Sequence, residues 1–508
     1  MALDNGAALG KDIGLFQSGT SAISASSPPE SAVSPVSWTR RAALAARNDA
    51  PLALVLAVML LLGVYLRCRA FDVPQALRWD EYHYVDTARG YLSYQYSDND
   101  HPPLGKLIIA GVMHFVGDTP VGWRLASLIC GFANVALVAW ITWSTFRSRR
   151  AAWLAAAFVA ADGFFIAYSR AGLLDGMIVA FAAAGIGTIL VSRRAWQVAL
   201  AGFFVGCAAS FKLNGVPFVI AAAALCLVSR RTRLFTPLLL LMAAAVFYAQ
   251  SALPLAFSGR PYGVLAVLAE NRKLIHQHLS YTVVHPMSSH WYTWFLPVRP
   301  IFLRRDVDPV TGAIEALMAL GNPLLWWAST LAIAAGLAVL ARAGWRQVWA
   351  QLERGAPAAA ESPVERAPRG ATAGETRAPA GLAAGEPPRS AGETMVAPAR
   401  AATDLDYVLA VPERAGLIFG VLLAWAGPLA FWVPSLRDAY IYHYLPSYTF
   451  ALVLLAGFVD RFYTRRQLAM FIAVVVVAVV SIFYAPIWGE LPISKEALDA
   501  RLFFPFWR

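Results

Sequence analysis

Charge is scarce in this 508-residue chain. Asp, Glu, Lys and Arg make up 14% of it against 58% hydrophobic residues, and the mean hydropathy is +0.54. That balance excludes a soluble globular protein, and many apolar runs reach the ~18–20 residues that cross a bilayer. Cysteine is sparse as well. Cys68, Cys130, Cys207 and Cys226 lie in or beside apolar runs at no metal-like spacing. They read as small packing residues, which excludes a disulfide framework and a thiolate metal site. The N-terminal stretch, rich in Ser, Ala, Gly and Pro, lacks the basic-then-apolar layout of a cleaved signal peptide, so residues 1–48 read as a disordered cytosolic tail. Residues 352–405 have almost no large apolar side chains and cannot build a core; the surrounding 344–412 reads as a low-complexity cytosolic linker. No stretch supplies a soluble catalytic domain, so any chemistry must sit in the membrane or at its outer boundary.

What is present is a series of apolar runs separated by short Arg-rich turns. The formal net charge of +11 could suggest a nucleic-acid partner, but the arginines cluster in loops. That is the positive-inside pattern, and it accounts for the charge without nucleic acid. Arg40, Arg41 and Arg47 fix the start of the first run (about 51–69) inside. Turns with Arg147, Arg149 and Arg150, with Arg193 and Arg194, with Arg230, Arg231 and Arg233, with Arg342 and Arg346, and with Arg461, Arg465 and Arg466 mark later returns. The alternation gives about eleven spans. They divide into a membrane module at 49–343, with outer loops at 70–119 and 257–320, and C-terminal spans within 413–508. The fold class is all-α polytopic, with amphipathic helices in the first outer loop: one over 81–92 and a second from LGKLIIAGVMHFVG.

The first outer loop holds the chemistry-bearing residues: WDEYHYVDTARGYL and HPPLGK carry Asp80, Glu81, His83, His101 and Lys106. Ionisable groups at a lipid boundary are costly unless solvated or in use. The same topology puts Arg124, Arg170, Asp175 and Lys212 near that face. Taken singly, Arg124 and Lys212 read equally well as snorkelling side chains, and Asp175 as an ion-pair partner of Arg170. Together, cations can hold an anionic phosphate while a carboxylate removes a proton nearby. This is the chemistry of sugar transfer from a lipid phosphate: the cations neutralise the leaving group, and one base with in-line attack inverts the sugar carbon. No diphosphate needs binding, so no cofactor or metal is required. His83 and His101 lack a fixed ligand spacing and read as loop histidines.

WDEYHYVDTARGYL, HPPLGK, GWRLAS, SRAGLLD, SFKLNG and GNPLLWW, in this order across most of 79–330, with YIYHYLPSY near 440, resemble the protein O-mannosyltransferase family. That family belongs to the multi-span GT-C glycosyltransferases, which use lipid-phosphate sugars and have a similar number of spans. The resemblance implies Asp80 as catalytic base and Glu81 as a neighbouring sugar- or acceptor-site group. It implies donor phosphate binding by Arg124 and Lys212, with His101 and Lys106 shaping the donor site. Arg170 and Asp175 match a motif that is either an ion pair or a direct contact. His290, Trp291 and Tyr292 resemble an outer aromatic segment near the acceptor.

The implied donor is polyprenyl-phosphate-mannose and the implied acceptor is Ser or Thr of a translocating protein, near the secretion translocon. The implied setting is a bacterial inner membrane, with the N-terminus cytosolic and the site on the outer face. The outer segment 257–320 is too short for the luminal β-trefoil of eukaryotic members, which resembles the bacterial forms. Lipid A aminoarabinose transferases share the Asp-Glu loop, so transfer to a lipid or cell-wall glycan is the alternative within enzymes. A lipid-linked sugar flippase is the alternative outside them, although the paired, broken spans of transporters are lacking.

Overall fold

The computed structural model describes residues 35–96, 100–280, 285–354, 415–434 and 439–508. Most of the expected tail and linker lie outside these residues. The chain forms two units, Met1–Pro51 and Leu52–Arg508; the second is the helical body. The first helix, α1 (Pro35–Cys68), begins within the stretch expected as tail. WTRRAALAAR is rich in Ala, Arg and Leu, which favour helix. The expected amphipathic pair follows as α2 (Glu81–Leu92) and α3 (Leu104–Val116).

Next come α4 (Pro120–Phe146) and a bent pair, α5 (Arg149–Ala160) and α6 (Gly163–Arg170), then α7 (Asp175–Val191), α8 (Ala195–Phe211), α9 (Val216–Val228) and α10 (Thr236–Phe257). An outer helix, α11 (Val264–Ser280), precedes a hairpin of β1 (Ile301–Val307) and β2 (Ile314–Ala319). The chain closes with α12 (Pro323–Ala343), α13 (Trp345–Arg354), α14 (Ala415–Trp432), α15 (Leu445–Tyr463), α16 (Gln467–Trp488) and α17 (Lys495–Arg501). Helix α13 occupies the first part of the expected linker.

Every apolar run read as a span is helical. Among the described residues, seven helices are long and apolar enough to cross a membrane, and eight if the bent pair counts as one. Helices α7, α8 and α9 are apolar but shorter. The chain is a multi-pass membrane protein. Helix α15 is its most enclosed long helix and packs against α4, α5, α7, α12, α14 and α16.

Polar groups inside this bundle sit where helices break, because a backbone freed at a break must find new partners in an apolar medium. The α5–α6 pair bends by 57°. Asp162, buried at the bend, caps α6 by accepting from the Phe164 N–H at 2.9 Å, and also accepts from the Asn322 N–H at 2.8 Å and the Tyr448 hydroxyl at 3.0 Å. Asn322 caps α12 in turn and donates to the Ser481 hydroxyl at 2.9 Å. Arg67 of α1 donates to the Val159 and Ala160 carbonyls left open by the bend. One polar cluster thus locks α1, α5, α6, α12, α15 and α16 in register.

The hairpin departs from the all-α expectation. Its turn is set by Asp308, whose carboxylate accepts from the Val310 and Thr311 N–H groups at 2.8 and 2.9 Å, and by Gly312 at φ +69°. The Trp, Tyr and Pro crowded just before it dominate the sequence pattern and conceal the strands. Strand β2 is almost wholly buried and packs on α6 and α16.

Gly163 opens α6 where a Cβ would overlap the Trp488 indole and the Leu320 carbonyl. Backbone and ring cannot both retreat, so Gly163→Val should cost about 1–3 kcal/mol. A lowered thermal unfolding midpoint of the purified variant is expected; an unchanged midpoint would mean the contact is loose.

Candidate active site

Asp80 and Glu81 are adjacent in sequence and opposite in environment. Glu81, the first residue of α2, has no exposed surface. Its carboxylate accepts from Arg124 Nε at 2.9 Å and Nη2 at 3.1 Å, from the Arg78 N–H at 2.7 Å and from the Gly172 N–H at 2.7 Å. Four donors exhaust what one carboxylate can readily accept. Asp80, at the N-cap of α2, makes no side-chain capping bond. Its carboxylate has neither a hydrogen bond nor an ion pair among the described residues, and it stays partly exposed. Burial pushes its pKa above the ordinary carboxylate range, opposed by the Lys212 charge and reinforced by Asp175.

Arg124, expected to hold a phosphate, is the counter-ion of Glu81. It also donates to the Pro74 and Ala76 carbonyls and is fully buried. Its place one turn into an apolar helix looked like outer-edge exposure; the first loop folds over it and uses its donors. Arg170 does not pair with Asp175. It donates to Glu490 at 2.7 Å and to the Leu66 and Arg69 carbonyls. Asp175 instead pairs with Lys212 at 2.8 Å.

Lys212 ends α8 and is buried. Its Nζ lies 5.7 Å from the Tyr84 ring and 5.1 Å from the Tyr442 ring. An ammonium has three donors, and the Asp175 contact uses one. His101 stacks on His278 at 5.1 Å between ring centroids. Burial, then Lys212, His278 and Lys106, hold His101 well below its ordinary pKa, which keeps it neutral. Lys106 donates to the His101 carbonyl at 2.8 Å and so fixes the HPPLGK turn.

His290, Trp291 and Tyr292 form a short turn in which His290 and Tyr292 stack at 5.2 Å, both exposed. No described contact joins them to Asp80. The rings that reach the Asp80 loop are others: Trp79 meets His285 at 5.9 Å, His285 meets Tyr440 at 5.7 Å, and Tyr440 stacks on Tyr442 at 5.3 Å. YIYHYLPSY signalled the tyrosines without giving them a role. Among the described residues, no three of His, Cys, Asp and Glu converge as metal ligands would.

Behind the loop sits Glu490, just past α16 at φ +54°. It accepts from Arg78 at 2.6 Å, Arg170 at 2.7 Å and Arg304 at 3.1 Å. Burial alone would raise its pKa; Arg78 and Arg170 override that and hold it below the ordinary range. A lone Glu after an apolar run, more than 400 positions from Arg78, carries no local signal of this role.

The S. cerevisiae protein O-mannosyltransferase Pmt1-Pmt2 complex bound to the sugar donor has the same fold, with a TM-score of 0.64 at 13% identity over 90% of this chain and 92% of that one. Two family models, both described as dolichyl-phosphate-mannose-protein mannosyltransferase, match residues 57–123 and 100–254. The polyprenol-phosphate-mannose–protein mannosyltransferase of Mycobacterium tuberculosis (strain ATCC 25618 / H37Rv) is 26% identical over 348 residues, 53% of this chain and 65% of that protein. Its Mycolicibacterium smegmatis (strain ATCC 700084 / mc(2)155) namesake is 26% identical over 321 residues, 49% of this chain and 61% of that protein. The chain is thus similar to protein mannosyltransferases over residues 57–254. It spans less than two thirds of the length of these two relatives.

Glu490→Gln leaves Arg78, Arg170 and Arg304 without their shared anion, and breaking such a buried group costs about 3–5 kcal/mol. Because the folded pKa is depressed, this contribution is present at neutral pH and lost as pH falls through that lowered value. The variant should unfold several degrees below the parent at pH 7; equal midpoints would contradict the clamp.

Proposed function

We propose that the protein is an inverting glycosyltransferase that moves mannose from polyprenyl-phosphate-mannose to Ser or Thr hydroxyls of proteins. The observation that carries this reading is the division of labour in the Asp-Glu pair: Glu81 is consumed by structure, and the Asp80 carboxylate has no partner among the described residues while it feels the charges of Lys212 and Asp175.

In this reading the acceptor hydroxyl gives its proton to Asp80 as its oxygen attacks C1 of the sugar from the face opposite the phosphate. The C1–O bond breaks, its electron pair goes to the polyprenyl phosphate oxygen, and the configuration at C1 inverts. Lys212 meets the charge that develops on the phosphate; enclosed by Tyr84 and Tyr442, it is poorly screened by water and acts strongly. Asp175 holds Lys212 in place. Arg124 and Arg170 act as framework, and His101 with Lys106 shapes the loop. The rings of His285, Tyr440 and Tyr442 offer an aromatic wall for acceptor or sugar.

The arginine-rich turns lie at the opposite ends of the helices from Asp80 and Lys212, which supports a cytosolic N-terminus and a site on the outer face of a bacterial inner membrane. An acceptor there would be a segment emerging from the secretion translocon.

The test is transfer of labelled mannose from polyprenyl-phosphate-mannose to a Ser/Thr-rich peptide. Asp80→Asn should reduce turnover by at least about 100-fold, the usual worth of a general base. In the parent, activity should fall on acidification at a pH above the ordinary carboxylate range, since the base must be ionised and its pKa is raised. Near-normal turnover by Asp80→Asn removes it from this role; label on added lipid or glycan but not peptide makes the acceptor wrong.

A further inference from the structure

Two residues beyond Lys212, Asn214 occupies the single 3-10 turn Leu213–Gly215 that separates α8 from α9. The turn is closed by the Gly215 N–H donating to the Lys212 carbonyl at 2.9 Å. Gly215 is packed so closely on the Ala208 carbonyl that a Cβ would overlap it, so the turn is fixed on α8. Asn214 is 5% exposed, and neither its amide nitrogen nor its amide oxygen has a hydrogen-bond partner among the described residues. Asp175, 2% exposed, pairs with Lys212 through one oxygen, while its other oxygen is also without a partner.

Buried polar atoms are nearly always satisfied, and those that are not call for a ligand or an ordered water. Here three such atoms belong to two residues, Asp175, which pairs with Lys212, and Asn214, which follows Lys212 by two positions. They comprise a two-hydrogen donor and two acceptors, a mixed set that bare phosphate cannot use, because phosphate oxygens only accept. Sugar hydroxyls both donate and accept, and they match the amide and the carboxylate oxygen. Apolar neighbours add the other half of such a pocket, since the faces of Tyr84 and Tyr442 flank Lys212.

We propose that Asn214, together with the free oxygen of Asp175, holds hydroxyls of the donor's sugar and so selects the sugar, while Lys212, paired with Asp175 and two residues before Asn214, holds the phosphate. This rests on the lipid-phosphate-sugar reading above and adds to it a residue for the sugar. Asn214 thus decides which sugar is carried and takes no part in proton transfer.

The experiment measures binding of two probes to the purified full-length protein: polyprenyl-phosphate-mannose and sugar-free polyprenyl phosphate. Asn214→Ala should weaken the mannosylated probe by about tenfold, the size of one or two lost hydrogen bonds, and the bare lipid phosphate by less than about twofold. Asn214→Leu keeps the side-chain shape, loses the hydrogen-bonding groups without adding a charge, and should show the same selective loss; it decides the matter if the alanine variant does not fold. Equal weakening of both probes would make Asn214 a phosphate or framework residue. No weakening of either would mean that water fills the site, and each of these results overturns the proposal. Failure of the parent protein to bind the mannosylated probe would instead overturn the donor reading itself.

Discussion

A single carboxylate, Glu81, joins three parts of the chain that are far apart in sequence. It takes the guanidinium of Arg124 from α4, the N–H of Arg78 from the first outer loop and the N–H of Gly172 from the turn between α6 and α7. A charge buried this fully is stable only with its partners complete. The first loop is therefore pinned to the bundle at the residue next to Asp80. Removing water from Glu81 costs free energy, and the return is a fixed backbone at the proposed base. Positioning of this kind is the main contribution a protein makes when the leaving group already resides on the donor.

The same logic recurs around it. Glu490 gathers Arg78, Arg170 and Arg304, binding the loop, α6 and the hairpin to the end of α16. Asp162 gathers Asn322, Tyr448 and the start of α6 at the bend. These buried anions are each met by donors from distant elements, so the bundle has few ways to repack. By contrast, among the described residues Asp80 makes no side-chain capping bond, and one oxygen of Asp175 and the Asn214 amide are buried without partners. Satisfied anions build the frame, and in the proposed reading the unsatisfied atoms of Asp175 and Asn214 are where a substrate would complete it.

Much of this was legible beforehand. The apolar runs and Arg-rich turns located every helix that is long and apolar enough to cross a membrane, because lipid demands them, and α2 falls at 81–92 as its amphipathic pattern implies. The Asp-Glu loop stood out for its charge. What the sequence could not supply was partner choice. Arg124, Arg170 and Lys212 look alike as cations near helix ends, yet Arg124 pairs with Glu81, Arg170 with Glu490 and Lys212 with Asp175. Glu490 and Arg78 carry no local signal, because their pairing spans most of the chain. His290 to Tyr292 drew attention as an aromatic run, whereas His285 and Tyr440 are the rings that the fold brings to Trp79.

The central claim is that two adjacent carboxylates have separate jobs, Asp80 in chemistry and Glu81 in structure. The most direct measurement compares Asp80→Asn with Glu81→Gln in the same preparation, reading both the thermal unfolding midpoint and mannose transfer. The account predicts an unfolding midpoint close to the parent's with turnover lost for Asp80→Asn, and a clearly lowered midpoint for Glu81→Gln. A destabilised Asp80→Asn beside a fully stable Glu81→Gln would contradict it.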